Sequence, residues 1–179
     1  MFEDNIKIAG IAFTLAFLAQ TYLRKKSSKN AVYVKELWIY PIKSCKGIQL
    51  TQADISRRGF LYDREFMLID GNRKFVSQRT FPRMALLETA LENEYLIVTS
   101  PNLPNDVLRI PLSQRAEGEN VEVTVWGDIC PSVDLGDDVS AWFCRALETA
   151  GLRLVRFAQD GRRATDPQYA PEGEVSMLV

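Results

Sequence analysis

Short stretches of alternating apolar and polar residues follow one another along most of the chain, beginning near Val32. Alternation with a period of two is typical of strands that are buried on one face. The pattern predicts strands over 32–40, 48–55, 65–70, 74–78, 85–91, 94–99, 107–112, 120–126 and 152–157. Turn residues at Asp70-Gly71-Asn72 and Glu92-Asn93 predict two hairpins. Closely spaced short strands favour a barrel or a sandwich.

One segment has helical spacing instead. Its apolar residues recur every three or four positions: Val139, Trp142, Phe143, Ala146, Leu147 and Ala150. We expect Asp137 or Asp138 to cap this helix and Gly151 to end it in a left-handed conformation. Trp142 and Phe143 are interpreted as core residues. The predicted fold class is therefore mainly β with one clear helix, an α+β arrangement.

The first thirty residues follow a different pattern. An uncharged, mostly apolar run extends from Ile8 to Leu23, with Lys7 before it and a basic, serine-containing segment, 24–30, after it. A membrane-spanning helix needs about 17–25 residues, so this run is just short of the usual length. A retained anchor, a cleaved targeting peptide and a buried helix all remain open. The anchor is favoured because the positive charge lies mainly after the run.

These patterns divide the chain into three parts. Residues 1–30 are predicted to form a hydrophobic anchor helix and a basic linker, and residues 31–158 a β-rich domain. Residues 159–179 are polar and contain two prolines before a final apolar run. We interpret them as a linker followed by the truncated start of another domain.

Composition excludes several classes of function. The chain has 22 basic and 23 acidic residues, a balance that argues against nucleic acid as a partner. It contains no histidine, which excludes catalytic groups and zinc sites that depend on imidazole. The three cysteines, Cys45, Cys130 and Cys144, form no closely spaced pair, so they do not predict a disulfide framework.

A basic segment at the end of the first predicted strand is the main candidate for chemistry. The strand ends at Pro41, and Lys43-Ser44-Cys45-Lys46 follows before Gly47. Two ammonium groups, a hydroxyl and accessible backbone N–H groups are suited to binding an anion. An ordinary solvated turn is the alternative. Arg64, Arg79 and Arg83 would join the site if the strands brought them close.

Three motifs in order carry a family resemblance: Tyr-Pro-Ile-Lys-Ser-Cys-Lys-Gly at 40–47, Gly-Phe-Leu-Tyr-Asp-Arg-Glu-Phe-Met-Leu at 59–68 and Ser-Gln-Arg-Thr-Phe-Pro-Arg-Met at 77–84. The chain resembles the N-terminal β-barrel domain of MOSC proteins, and within them the amidoxime-reducing group, from about Val32 to its end. The resemblance implies that residues 31–158 are this domain and that residues 159–179 begin the MOSC domain proper.

The resemblance also implies a cofactor site. In the amidoxime-reducing group, the residues corresponding to Lys43, Ser44 and Arg64 hold the pterin phosphate of the molybdenum cofactor, molybdopterin. Tyr62 stands where the family has another arginine, so the site is expected to be weaker. The family's molybdenum-ligating cysteine lies beyond the point where this chain stops. Cys45 is an alternative ligand, since Lys43 and Lys46 would favour its thiolate.

The implied activity is reduction of N-hydroxylated substrates, with electrons from a cytochrome b5 and its reductase. The resemblance further implies molybdenum ion binding, pyridoxal phosphate binding and attachment to the outer mitochondrial membrane, facing the cytosol. We expect this chain to supply phosphate contacts and a substrate-recognition surface, and to be inactive alone. The cofactor is expected in the full-length family, and whether this chain binds any of it alone stays open. The alternative is a membrane-tethered, non-catalytic binding module that has lost the metal-binding half.

Overall fold

A computed structural model describes residues 32–56, 58–112 and 118–158. The chain divides into two units, residues 1–35 and residues 36–179. The strands and the helix of the described ranges all belong to the second unit. The predicted anchor helix and the predicted linker at 159–179 lie outside the described residues. Within those ranges, no helix is long and apolar enough to cross a bilayer.

The described part of the second unit is mainly β with one α-helix, as predicted. Its strands are β1 Leu37–Ile39, β2 Ile48–Leu50, β3 Ile55–Ser56, β4 Gly59–Phe60, β5 Phe66–Ile69, β6 Glu88–Glu92, β7 Tyr95–Thr99, β8 Leu108–Pro111, β9 Asn120–Val125, β10 Asp128–Asp134 and β11 Arg153–Phe157. The α-helix, α1, spans Asp137–Leu147, and a 3₁₀ turn spans Pro82–Leu86.

The strands form four antiparallel groups. The largest is a four-stranded sheet in the order β5-β11-β10-β9, and a three-stranded sheet has the order β6-β7-β8. Strands β1 and β2 form a two-stranded ribbon, as do β3 and β4. The predicted hairpin across Glu92-Asn93 is confirmed as β6–β7, in which Glu92 pairs with Tyr95.

Strand β5 separates two apolar clusters. Phe66 and Leu68 pack into a larger cluster that also contains Trp142 and Phe143 of α1. Met67 and Ile69 pack into a smaller cluster on the opposite side. Successive side chains of a strand point to opposite faces, which explains why β5 is buried along its whole length. The prediction that Trp142 and Phe143 are core residues is confirmed.

The ends of α1 differ from the prediction. Gly136 (φ 92°) is the N-cap residue and no side chain caps the helix, so the predicted capping role of Asp137 or Asp138 is wrong. Both carboxylates lie in the first turn, where their negative charges interact favourably with the helix dipole and stabilise the helix. The helix ends at Leu147 because Glu148 adopts the left-handed conformation, with φ 53° and ψ 41°. Gly151, the predicted end, lies three residues further on.

Several strand predictions were also wrong. The predicted strand 48–55 is divided between β2 and β3, and the 3₁₀ turn Pro82–Leu86 replaces the start of the predicted strand 85–91. The sequence pattern missed β10, which contains Pro131; that residue lies opposite Glu122 of β9. The segment 74–78 does not form a continuous strand with β5. It does turn back along the free edge of β5: Phe75 bridges Ile69, and the Val76 amide donates to the Leu68 carbonyl at 2.9 Å. Lys74 bridges Thr124 of β9 instead, which interrupts the pairing with β5.

Candidate functional site

Two of the sequence motifs meet along their backbones. The Tyr40 carbonyl accepts a hydrogen bond from the Arg64 amide at 2.8 Å, and the Pro41 carbonyl accepts one from the Phe66 amide at 3.0 Å. The Lys43 amide donates to the Phe66 carbonyl at 2.8 Å. We call this paired region, residues 40–44 with residues 62–66, the motif junction. It brings the backbone of Lys43 next to that of the Arg64 segment.

The motif junction contains non-glycine residues with positive φ. Ser44 has φ 71°, Tyr62 has φ 64° and Arg64 has φ 52°. Such conformations cost about 1–3 kcal/mol and persist where the surrounding contacts enforce them. Here the Cys45 amide closes a turn around Lys43 and Ser44 by donating to the Ile42 carbonyl at 3.1 Å. Two of the three residues with positive φ are therefore the predicted site residues Ser44 and Arg64.

Lys43 and Arg79 lie over the same aromatic ring. The Lys43 Nζ is 5.9 Å from the centroid of the Trp126 ring, and the guanidinium carbon of Arg79 is 5.8 Å from it. The Lys43 Nζ is also 5.4 Å from the Phe75 centroid. Arg79 therefore joins Lys43 through a shared aromatic contact.

Arg64 lies within a different set of contacts. Its Nη1 donates to Oδ2 of Asp63 at 2.5 Å, and its guanidinium carbon is 5.2 Å from the Tyr40 ring centroid. Oδ1 of Asp63 accepts from the Tyr40 amide at 2.7 Å. Asp63 is buried, with 6% of its surface exposed. This carboxylate therefore links the two motifs while it pairs with Arg64.

The remaining two candidates bind carboxylates elsewhere on the surface. Lys46 forms an ion pair with Glu88 at 2.5 Å, and Arg83 forms one with Glu148. All four side chains are more than half exposed, so these pairs stabilise the fold by about 0–1 kcal/mol each. Lys46 and Arg83 are engaged at separate places, and their ion pairs do not include Lys43 or Arg64.

The buried Cys45 thiol is poorly suited to bind a metal as a thiolate. Cys45 is 4% exposed, and burial raises the pKa of its thiol to about 12. The expectation that Lys43 and Lys46 favour the Cys45 thiolate is wrong, since desolvation disfavours the charged form. Cys130 is buried in the smaller apolar cluster, and Cys144 is half-buried. The described residues contain no group of three or more acidic or cysteine side chains placed to hold a metal ion.

Sequence reasoning missed a recess beside the motif junction. Its lining includes Arg58, Phe60, Arg64 and Phe157. The guanidinium carbon of Arg58 lies 4.8 Å from the centroid of the Phe157 ring. The basic pair ahead of Gly59 was visible in the sequence, but its proximity to Phe157, about a hundred positions along the chain, was not.

Comparisons with known proteins agree on a family. Residues 31–150 match the family model described as "MOSC N-terminal beta barrel domain". The chain is 30% identical over 169 residues to human "Mitochondrial amidoxime reducing component 2", an alignment that covers 92% of this chain and 50% of that protein. It is 31% identical over 135 residues to "Molybdenum cofactor sulfurase 2" of Culex quinquefasciatus, covering 73% and 18%.

A more distant structural likeness was also found. A solution structure of a protein from Bordetella bronchiseptica aligns with a TM-score of 0.48 at 19% identity, covering 68% of this chain and 99% of that one. Among the sequence relatives, the chain spans about half the length of the amidoxime reducing components that it matches.

Proposed function

The chain belongs to the family of MOSC N-terminal beta barrel domains, and from this premise we propose that it is the N-terminal part of a molybdenum-cofactor oxidoreductase of the amidoxime-reducing type. The names of the relatives support both parts of the proposal, since they include amidoxime reducing components and molybdenum cofactor sulfurases. In this proposal the chain supplies pterin-phosphate contacts and a substrate-recognition surface, and it is inactive alone.

The observation that carries the proposal is the motif junction. Residues 43 and 44 come from one motif and residue 64 from another, and backbone hydrogen bonds hold the two segments side by side. Lys43, Ser44 and Arg64 would hold the phosphate: the ammonium supplies charge, the hydroxyl supplies a donor, and the guanidinium supplies a planar fork that suits phosphate oxygens. The positive φ of Ser44 and Arg64 is the kind of local strain that is found at binding sites.

The residues present fit one part of the molybdenum cofactor. The basic and hydroxyl groups of the junction fit its phosphate, whereas the buried Cys45 thiol does not fit its metal. When bound in the longer protein, the cofactor would supply the redox chemistry. The residues of this chain would bind and orient its phosphate end. Pyridoxal phosphate, which the resemblance also predicts, presents the same phosphate monoester and stays a prediction.

The test is analysis of the purified chain after expression in a host that makes the molybdenum cofactor. We expect pterin above background with little molybdenum. Lys43→Ala and Arg64→Ala should each lose most of that pterin, whereas Arg109→Ala should retain it. Arg109 is an exposed arginine of β8 and serves as the matched control.

Equal pterin content in the wild type and the three variants would contradict the proposal that Lys43 and Arg64 bind the pterin phosphate. Absence of pterin from the wild type would contradict it as well. Stoichiometric molybdenum in the purified chain would contradict the expectation that this chain supplies no ligand to the metal. In that case, unchanged metal content in Cys45→Ala would exclude Cys45 as the source.

The membrane and electron-transfer roles are part of the same proposal. The names of the mitochondrial relatives support a mitochondrial location. Attachment to the outer membrane, facing the cytosol, through the predicted anchor at the N-terminus is our proposal from the resemblance. Cytochrome b5 and its reductase are the proposed electron donors. Fractionation of cells that express the tagged chain tests the location: recovery in the outer mitochondrial membrane is expected, and recovery in the supernatant would contradict it.

The burial of Cys45 favours a second candidate function. A chain that combines an anion site with a buried Cys45 thiol would act as a membrane-tethered, non-catalytic binding module. The continuation of the reading frame discriminates between the two candidates. Coding sequence for a MOSC domain after Val179 would favour the enzyme, and a stop codon at that point would favour the binding module.

A further inference from the structure

Arg58 and Arg64 line one shallow recess that opens to solvent. Arg58 lies in the loop between β3 and β4, and Arg64 lies in the segment that leads into β5. The recess is therefore bounded by a short hairpin on one side and by the motif junction on the other. Phe157, at the end of β11, contributes part of its wall.

The Arg58 side chain is held in place by several contacts. Its guanidinium stacks on Phe157 at 4.8 Å, and its Nη1 donates weakly to the Ala158 carbonyl at 3.4 Å. The loop itself is fixed by Ser56, whose hydroxyl donates to the Gly59 carbonyl at 3.0 Å and accepts from the Arg58 amide at 3.2 Å. Such pre-organisation lowers the entropic cost of ligand binding.

The two guanidinium groups retain donors for a ligand. Each arginine carries five N–H groups. In the described part of the chain, the hydrogen bonds of these side chains use one donor of Arg58, to Ala158, and one donor of Arg64, to Asp63. Two planar forks on one recess can bind a tetrahedral oxyanion from two directions.

The carboxylates that line the recess are already engaged. Asp63 accepts from Arg64 and from the Tyr40 amide. Glu65 accepts from Arg156 at 2.9 Å and from the Tyr62 amide at 3.3 Å. Among the described side chains of this region, Arg58 is the cation whose charge no carboxylate balances. The local excess of positive charge therefore favours an anion.

We propose that Arg58 and Arg64 form a two-guanidinium site for a phosphate group. This proposal rests on the proposed function, which it deepens: the phosphate contact at Arg64 gains a second arginine that the family motifs do not identify. Arg58 is then a binding residue at the recess, and the Phe157 ring beneath it sets its position. The ligand class is a phosphate or a phosphate monoester, which includes the phosphate end of a pterin cofactor.

The test is calorimetric titration of the whole chain with inorganic phosphate at low ionic strength. Arg58→Ala should bind phosphate roughly tenfold more weakly than the wild type, a loss of about 1.4 kcal/mol. Arg58→Lys should recover part of this loss, since it restores the charge but not the fork. Arg109→Ala removes one exposed positive charge outside the recess and should bind like the wild type.

Thermal unfolding of each variant shows whether it is folded. If Arg58→Ala fails to fold, the Nε–Hε resonance of Arg58 in the wild type provides the test, and it should shift saturably as phosphate is added. If Arg58→Ala binds phosphate with the affinity of the wild type, or if the Arg58 resonance does not shift with phosphate, the proposed two-guanidinium site is wrong. Pterin retention that depends on Lys43 and Arg64 would still support the proposed function, so the two failures are distinguishable.

Discussion

Replacing Asp63 with alanine should destabilise the fold through the motif junction. Asp63 is 6% exposed, and its carboxylate accepts from the Tyr40 amide at 2.7 Å and from Arg64 at 2.5 Å. Removing the acceptor leaves the Tyr40 amide unpaired, which costs about 1–3 kcal/mol when such a group is buried. The lost pairing with Arg64, whose side chain is one-third exposed, adds at most about 1 kcal/mol. The expected loss in the free energy of unfolding is therefore about 1–4 kcal/mol.

Urea denaturation measures this loss directly. For a domain of this size, the slope of unfolding free energy against urea is about 1–3 kcal/mol/M, so the midpoint should fall by about 1 M. Asp63→Asn should lose less, because the amide oxygen still accepts from Tyr40. Asp54→Ala is the matched control, since Asp54 is exposed. A midpoint for Asp63→Ala equal to that of Asp54→Ala would refute the assigned role.

Three further predictions follow from single sites. Gly47→Ala should lower the melting temperature by several degrees, because a Cβ at this position would lie 2.6 Å from the Tyr40 ring; calorimetry that shows no change would contradict this contact. Cys45 has a raised pKa, so its native state favours the neutral thiol. Its contribution to stability is present below pH 9 and is lost between about pH 9 and 12; the stability difference between the wild type and Cys45→Ala should shrink over that range, and a constant difference would argue against a buried thiol. Glu65→Ala removes a carboxylate from the buried Arg156 and should cost about 3–5 kcal/mol in chemical denaturation; a cost below about 1 kcal/mol would contradict a stabilising role for this ion pair.

Local patterns predicted much of the fold. The strict alternation of Val121, Val123 and Val125 places these residues in one apolar cluster, as expected for a strand buried on one face. Strand β10 was not predicted because it contains Pro131, and proline usually interrupts a strand. Its partner strands lie on both sides, so tertiary pairing outweighs local propensity.

The candidate site was predicted only in part, because its contacts are non-local. The motifs identified Lys43, Ser44 and Arg64, but not the hydrogen bonds that join residues 40–43 to residues 64–66. The sequence placed Cys45 between two lysines and suggested a reactive thiolate. Its burial depends on packing against distant residues of the larger cluster, and burial reverses the direction of the pKa shift.

The central claim is that the motif junction binds phosphate. The most direct measurement is a titration of the ¹⁵N-labelled chain with inorganic phosphate, followed by a pterin phosphate monoester, with amide chemical shifts as the readout. Saturable shifts should be largest at Lys43, Ser44 and Arg64, and they should be small at Lys46 and Arg83, whose side chains are paired with Glu88 and Glu148. Shifts spread evenly over all exposed basic residues, or none at the junction, would contradict the claim.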